Sequence, residues 1–73
     1  MRAVVRDDGK EYRCSTHAAR DLLDEAGIEP DKKSVQYLGR AIWNVCIDKP
    51  YTIYNHTVYG HRFRFKKGKF KDD

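Results

Sequence analysis

Apolar positions along the chain switch between two periods, and the switches mark the elements. Ala3–Val4–Val5–Arg6 and Lys10–Glu11–Tyr12–Arg13–Cys14 are short runs of mixed polarity on either side of Asp7–Asp8–Gly9. An Asp-Gly pair supplies the positive φ of a tight turn, so a hairpin is predicted. From about residue 16 to residue 26 the period becomes helical: Ala19, Leu22, Leu23 and Ala26 share one face, and Arg20, Asp21, Asp24 and Glu25 face out. Ser15 or Thr16 is the expected N-cap, and Gly27 the C-cap, with Ile28 folding back onto the helix end. After the turn Glu29–Pro30–Asp31, Asp31 or Ser34 caps a second helix running to about Cys46. Its core stripe is Val35, Leu38, Ile42 and Val45 or Cys46; Lys33, Gln36, Tyr37, Arg40 and Asn44 form the outer face. Gly39, costly in a helix interior by roughly 1 kcal/mol, marks close helix–helix contact. Trp43 falls at the boundary, where a half-buried packing role is expected.

Asp48–Lys49–Pro50 ends that helix. Tyr51–Tyr54 is a predicted strand, Asn55–His56–Thr57 its turn, and residues 57–65 the returning strand. In that last run Tyr59, Phe63 and Phe65 alternate with Gly60, Arg62 and Arg64, the period of two of a strand with one apolar and one charged face. The pattern predicts an α+β fold, a small antiparallel sheet packed against two helices. Residues 1–67 form a single domain and residues 68–73 a frayed tail. Leu22, Leu23, Val35, Leu38, Ile42, Tyr59, Phe63 and Phe65 are the expected core.

Charge adds a second layer. Residues 1–60 hold nine Lys/Arg and nine Asp/Glu, and residues 61–73 hold six Lys/Arg and two Asp, so the net +4 lies entirely at the end of the chain. Basic side chains interleaved with aromatics on a patterned strand are the footprint of a phosphate-binding surface; the plainer alternative is a solubilising tail. The 73 residues include two cysteines, too few for a disulfide framework, and no apolar run of signal-peptide or membrane-spanning length, so a cytoplasmic protein with reduced thiols is expected.

Chemistry-bearing constellations are sparse. Cys14 and His17 form one close pair with metal-ligand spacing, where zinc needs two such pairs, so no metal or other cofactor is expected. Ile53-Tyr54-Asn55 and Val58-Tyr59-Gly60 echo the paired motif of GIY-YIG nucleases. The gap is too short for two strands, however, and Asp72 and Asp73 are the only acids after Gly60. An HNH centre would need a helix after the final strand. The chain reads as a non-enzyme.

Two helices joined through Gly27 and Pro30, the second basic and amphipathic, have the layout of a helix-turn-helix, whose second helix enters the major groove. Lys33, Ser34, Gln36, Tyr37 and Arg40 are then candidates for base contact. Gln36 suits adenine and Arg40 guanine. Lys32, Arg62, Arg64, Lys66, Lys67 and Lys69 are candidates for phosphate contact.

Tyr12-x-Cys14-Ser15-x-x-Ala18-Ala19, Lys33-Ser34-Val35 opening a helix, and the block Val58-Tyr59-Gly60-His61-Arg62-Phe63-Arg64-Phe65 together resemble the nuclease-associated modular DNA-binding domain, or intron-encoded endonuclease repeat. The resemblance spans about residues 11–66. It implies duplex DNA binding through the helix-turn-helix with no chemistry of its own, in a free-standing relative from a phage or other mobile element. A reading of a different class is a small phage-type inhibitor or adaptor that binds a protein with an acidic or nucleic-acid-binding surface. Tyr37, Trp43, Tyr51 and Tyr54 would be its interface anchors, since Tyr and Trp are enriched in hot spots.

Overall fold

A computed structural model describes residues 2–47 and 57–68. Within them the elements run β1 (Val4–Arg6), β2 (Glu11–Tyr12), α1 (Ser15–Glu25), α2 (Lys32–Cys46) and β3 (Phe63–Phe65). The fold is α+β, as the sequence pattern predicts. The three strands form one antiparallel sheet in the order β2-β1-β3, with β1 in the centre.

The β1–β2 turn follows its Asp-Gly chemistry. Gly9 has φ +97, its N–H donates to the Arg6 carbonyl, and the Lys10 N–H donates to Asp8 Oδ1 at 3.2 Å. Register then sets the faces. Val4 lies opposite Tyr12 on one side and Phe65 on the other, while Arg6 lies opposite Phe63. Val4, Phe63 and Phe65 are buried against the helices with Ala18, Ala19, Leu22, Leu23, Val35, Leu38, Ile42 and Val45. Each fully buried aliphatic side chain in this set contributes about 1.5–3 kcal/mol of transfer free energy.

α1 starts one residue earlier than predicted. Its N-cap is Cys14, in extended conformation and without a side-chain cap bond, so neither Ser15 nor Thr16 caps it. Both occupy the first helical turn, past the position from which a hydroxyl reaches the orphan N–H groups. Cys14 is itself buried. Ala26 is exposed because the helix has already ended there, and Ala18 takes its place in the core. The ending itself is the Schellman pattern: Ile28 N–H donates to the Leu23 carbonyl at 2.9 Å and Gly27 N–H to that of Asp24 at 3.1 Å, with Gly27 at φ +74.

α2 begins at a conventional cap, Asp31 Oδ1 accepting from Ser34 N–H at 2.7 Å. Gly39 faces α1: a Cβ placed on it would lie 3.6 Å from Thr16 Cα. Trp43 is expected to be half-buried but is 36% exposed; its packing is an edge-on contact with Phe65, centroids 5.0 Å apart.

The long returning strand is overturned in part. Val58 and His61 form a bridge, each donating its N–H to the other's carbonyl, and Tyr59 (φ +53) and Gly60 (φ +79) make the two-residue turn between them. Two consecutive positive φ values define a type I′ hairpin loop, so the chain reverses where the alternation is expected to continue. Tyr59 is consequently 51% exposed, not core, and the regular strand is confined to Phe63–Phe65. The predicted Tyr51–Tyr54 strand and most of the tail lie outside the described residues.

Candidate nucleic-acid interface

Two charged regions of opposite character emerge, and only one of them is open to a ligand. The first closes on itself. Arg6 follows Val4 by two residues, so it points to the same core-facing side of the sheet, where α1 presents Asp21 and Glu25 one turn apart. Its side chain is 3% exposed. Arg6 Nη1 and Nη2 bond Glu25 at 2.7 and 3.1 Å, and Nε and Nη2 bond Asp8 at 3.0 and 2.6 Å. Lys10 adds a 2.9 Å bond to Glu25, and the Tyr12 hydroxyl bonds Asp21. Hydrogen bonds to Asp8 and then Glu25 push the Arg6 guanidinium above its ordinary value. Those from Arg6 and Lys10 hold Glu25 down to about 2. Asp8 is held well below the carboxylate range, chiefly by Arg6. Burial, then the Asp21 bond, pushes the Tyr12 phenol up. This knot ties the hairpin to the end of α1, and its two cations and three carboxylates leave it with one negative charge.

A second clamp joins the two turns. Asp7 Oδ1 lies 2.9 Å from Nδ1 of His61, and Asp7 Oδ2 accepts from Arg62 N–H at 3.0 Å. Partial burial pushes the Asp7 carboxyl up, but these bonds outweigh it and leave the group below its ordinary value. Neither cluster is visible in periodicity alone. The cue was the carboxylate pair Asp21/Glu25 at i, i+4 on α1, read as a solvated face.

The open region is the outer face of α2. Lys33, Gln36, Tyr37 and Arg40 are exposed at helical spacing, with Asn44 partly exposed beyond them. With Trp43, Ile47 and Gly39 they line a groove whose other wall is the start of α1, Ser15 and Thr16. That end of α1 has no side-chain cap. Among the described residues, the side chains of Lys33, Gln36 and Arg40 make no hydrogen bond or ion pair. Ser34 differs: its N–H and hydroxyl both serve Asp31, whose carboxyl is lowered as a result. The α2 N-terminus is thereby already occupied by a carboxylate.

The structure separates the base-contact candidates on α2 from the phosphate candidates on β3. Phe63 and Phe65 face the helices, so the intervening Arg64 lies on the opposite face of the sheet. Its Nη1 donates to the carbonyls of Phe65 at 3.2 Å and Lys66 at 2.8 Å. Arg62 is half-buried and engaged through its backbone with Asp7. Lys66 pairs with Glu11 at 3.2 Å, with both side chains more than half exposed. Lys32 and Lys67 are exposed; Lys69, Tyr51 and Tyr54 lie outside the described residues.

Cys14 and Cys46 are buried, and no group of three or more His, Cys, Asp or Glu among the described residues could hold a metal ion. No helix among the described residues is long and apolar enough to cross a membrane. Compared with protein-family models, curated proteins and solved structures, the chain matches none.

Proposed function

We propose that the domain binds duplex DNA without catalysis, laying α2 along the major groove in the manner of a helix-turn-helix, as its resemblance to the nuclease-associated modular DNA-binding domain suggests. The observation that carries the reading is the unengaged stripe Lys33, Gln36 and Arg40 on an exposed helix face. It contrasts with Arg6, Lys10, Arg64 and Lys66, which are held by other protein groups. Arg40 and Gln36 supply bidentate chemistry for guanine and adenine. Lys32 and Lys33 sit where a phosphate backbone would pass, and the uncapped start of α1 adds backbone donors beside the same groove.

The geometry makes the electrostatics quantitative. If α2 carries the contact, with Arg40 on a base edge, Lys32 and Lys33 neutralise about two phosphates, and log affinity falls with log salt at a slope near −2. A contact through Arg62, Arg64, Lys66, Lys67 and Lys69 instead would give a slope of about −4 to −5. A mobility-shift titration of random duplex over about 50–200 mM salt measures it. Absence of binding at low salt overturns the DNA reading. Unchanged binding by the Gln36→Ala/Arg40→Ala variant removes α2 from the contact.

A protein-binding inhibitor or adaptor is the second reading. It is favoured by the exposure of Ile28, Tyr37 and Tyr59, which is apolar surface a DNA backbone would not need.

A further inference from the structure

Ile28, Tyr37 and Tyr59 line one cleft at the end of α2, floored by Leu23 and Leu38 and with Lys33 at its edge. Tyr37 is 65% exposed and Tyr59 51%. Lys33 and Tyr37 also line the groove along α2, so the two depressions adjoin. Tyr59 holds the first place of a type I′ turn at φ +53, a position that favours Asn, Asp or Gly and disfavours a bulky side chain. The turn would form more readily with another residue there. What Tyr59 adds is an aromatic face beside a second one.

From this we infer that the cleft takes the face of one unpaired base, so the DNA this domain prefers is a duplex carrying an unstacked nucleotide next to the segment lying on α2. The inference rests on the DNA reading above and narrows its ligand. Aromatic faces stack on any base, and a cation beside them meets the phosphate that accompanies it. The charge is complementary: Lys33 edges the cleft and Lys32 precedes it along α2, both exposed. Of the acidic neighbours in the chain, Asp31 accepts from Ser34 at the start of α2 and Glu29, next to Ile28, is exposed. An apolar floor suits a base that has left the stack, whereas a paired base would keep its faces covered.

The test compares a plain duplex with the same duplex carrying one unpaired thymine, by fluorescence anisotropy, on the full chain. The wild type is expected to bind the thymine-bulged duplex about 5- to 160-fold tighter, the range that one base–aromatic stack supplies. Tyr59→Asn supplies a residue the turn favours, so it keeps the fold and raises the thermal midpoint. It is expected to abolish the preference while leaving plain-duplex affinity within about twofold, whereas Tyr59→Phe retains the preference. Equal affinity of the wild type for both duplexes overturns the inference, as does a preference that survives Tyr59→Asn; in either case the DNA reading stands on its plain-duplex binding. Absence of binding to both duplexes overturns that reading and the inference with it. A dimer in sedimentation that Tyr59→Asn dissociates assigns the cleft to a second copy, and a protein partner whose capture Tyr59→Asn abolishes assigns it to that partner. Either result also overturns the inference.

Discussion

Arg6 is the position at which charge and burial conflict most sharply, and the asymmetry of that conflict can be measured. Its guanidinium is 3% exposed, while Asp8 and Glu25 are 42% and 39% exposed. Removing the cation and removing its partners therefore have different costs. In Arg6→Met the aliphatic stem is retained and the freed carboxylates remain in reach of water, with Lys10 still beside Glu25, so the loss is about 1–2 kcal/mol. In Asp8→Asn/Glu25→Gln the guanidinium stays buried with only Asp21 nearby, at 3.8 Å. Each amide offers a single acceptor oxygen where the carboxylate offered two. Stranding the guanidinium in this way costs more than removing it, though less than the roughly 3–5 kcal/mol of a fully buried pair, because both partners stand partly open to water. At roughly 0.05–0.15 kcal/mol per residue, 73 residues hold about 4–11 kcal/mol in all, so the double variant loses a sizeable part of the total. Urea unfolding followed by circular dichroism at neutral pH ranks the two, with the slope of each transition checked for constancy. If the double variant is as stable as Arg6→Met, the guanidinium is solvated and the knot is not what joins the hairpin to α1.

The same knot sets an acid limit. Glu25 is held at about 2 in the fold against 4.5 ordinarily, so its contribution is fully present above about 4.5 and is lost as pH falls toward 2. Asp8 and Asp7, also lowered, act in the same direction. The urea midpoint is expected to fall across that window and to fall less in Glu25→Gln; a flat profile would contradict the assignment. At Gly39 a Cβ would make ordinary contact at 3.6 Å with Thr16 Cα. Gly39→Ala should therefore gain about 0.5–1 kcal/mol from helix propensity, whereas Gly39→Leu, forced against α1, should lose about 1–3 kcal/mol. Thermal unfolding of the pair reads both signs, and a destabilised Gly39→Ala would mean the helices lie closer than described.

The helices were legible in the chain because their determinants are local. Leu22, Leu23, Val35, Leu38 and Ile42 recur at helical spacing, Asp31 stands three residues before the N–H it binds, and Gly27 sits where only a left-handed residue closes the Schellman pair. The Asp-Gly hairpin is local in the same sense. What α2 leaves exposed was also legible, since a helix with one apolar stripe must present Lys33, Gln36, Tyr37 and Arg40 on the other side.

The tertiary structure decided the rest, because it depends on contacts distant in sequence. The period of two through Tyr59, Phe63 and Phe65 is the same whether the chain runs straight or turns at Tyr59–Gly60. Bridging of Val58 to His61 and the grip of Asp7 on the far side selected the turn and put Tyr59 outside. Arg6 reads as one more polar strand residue until β1 takes the centre of the sheet, which buries it and brings Glu25 of α1 to meet it. Residue pattern alone does not place the closing basic block relative to the second helix. Packing Phe63 and Phe65 beneath the helices sends Arg64 to the opposite face, so Arg64 and the open face of α2 belong to two surfaces.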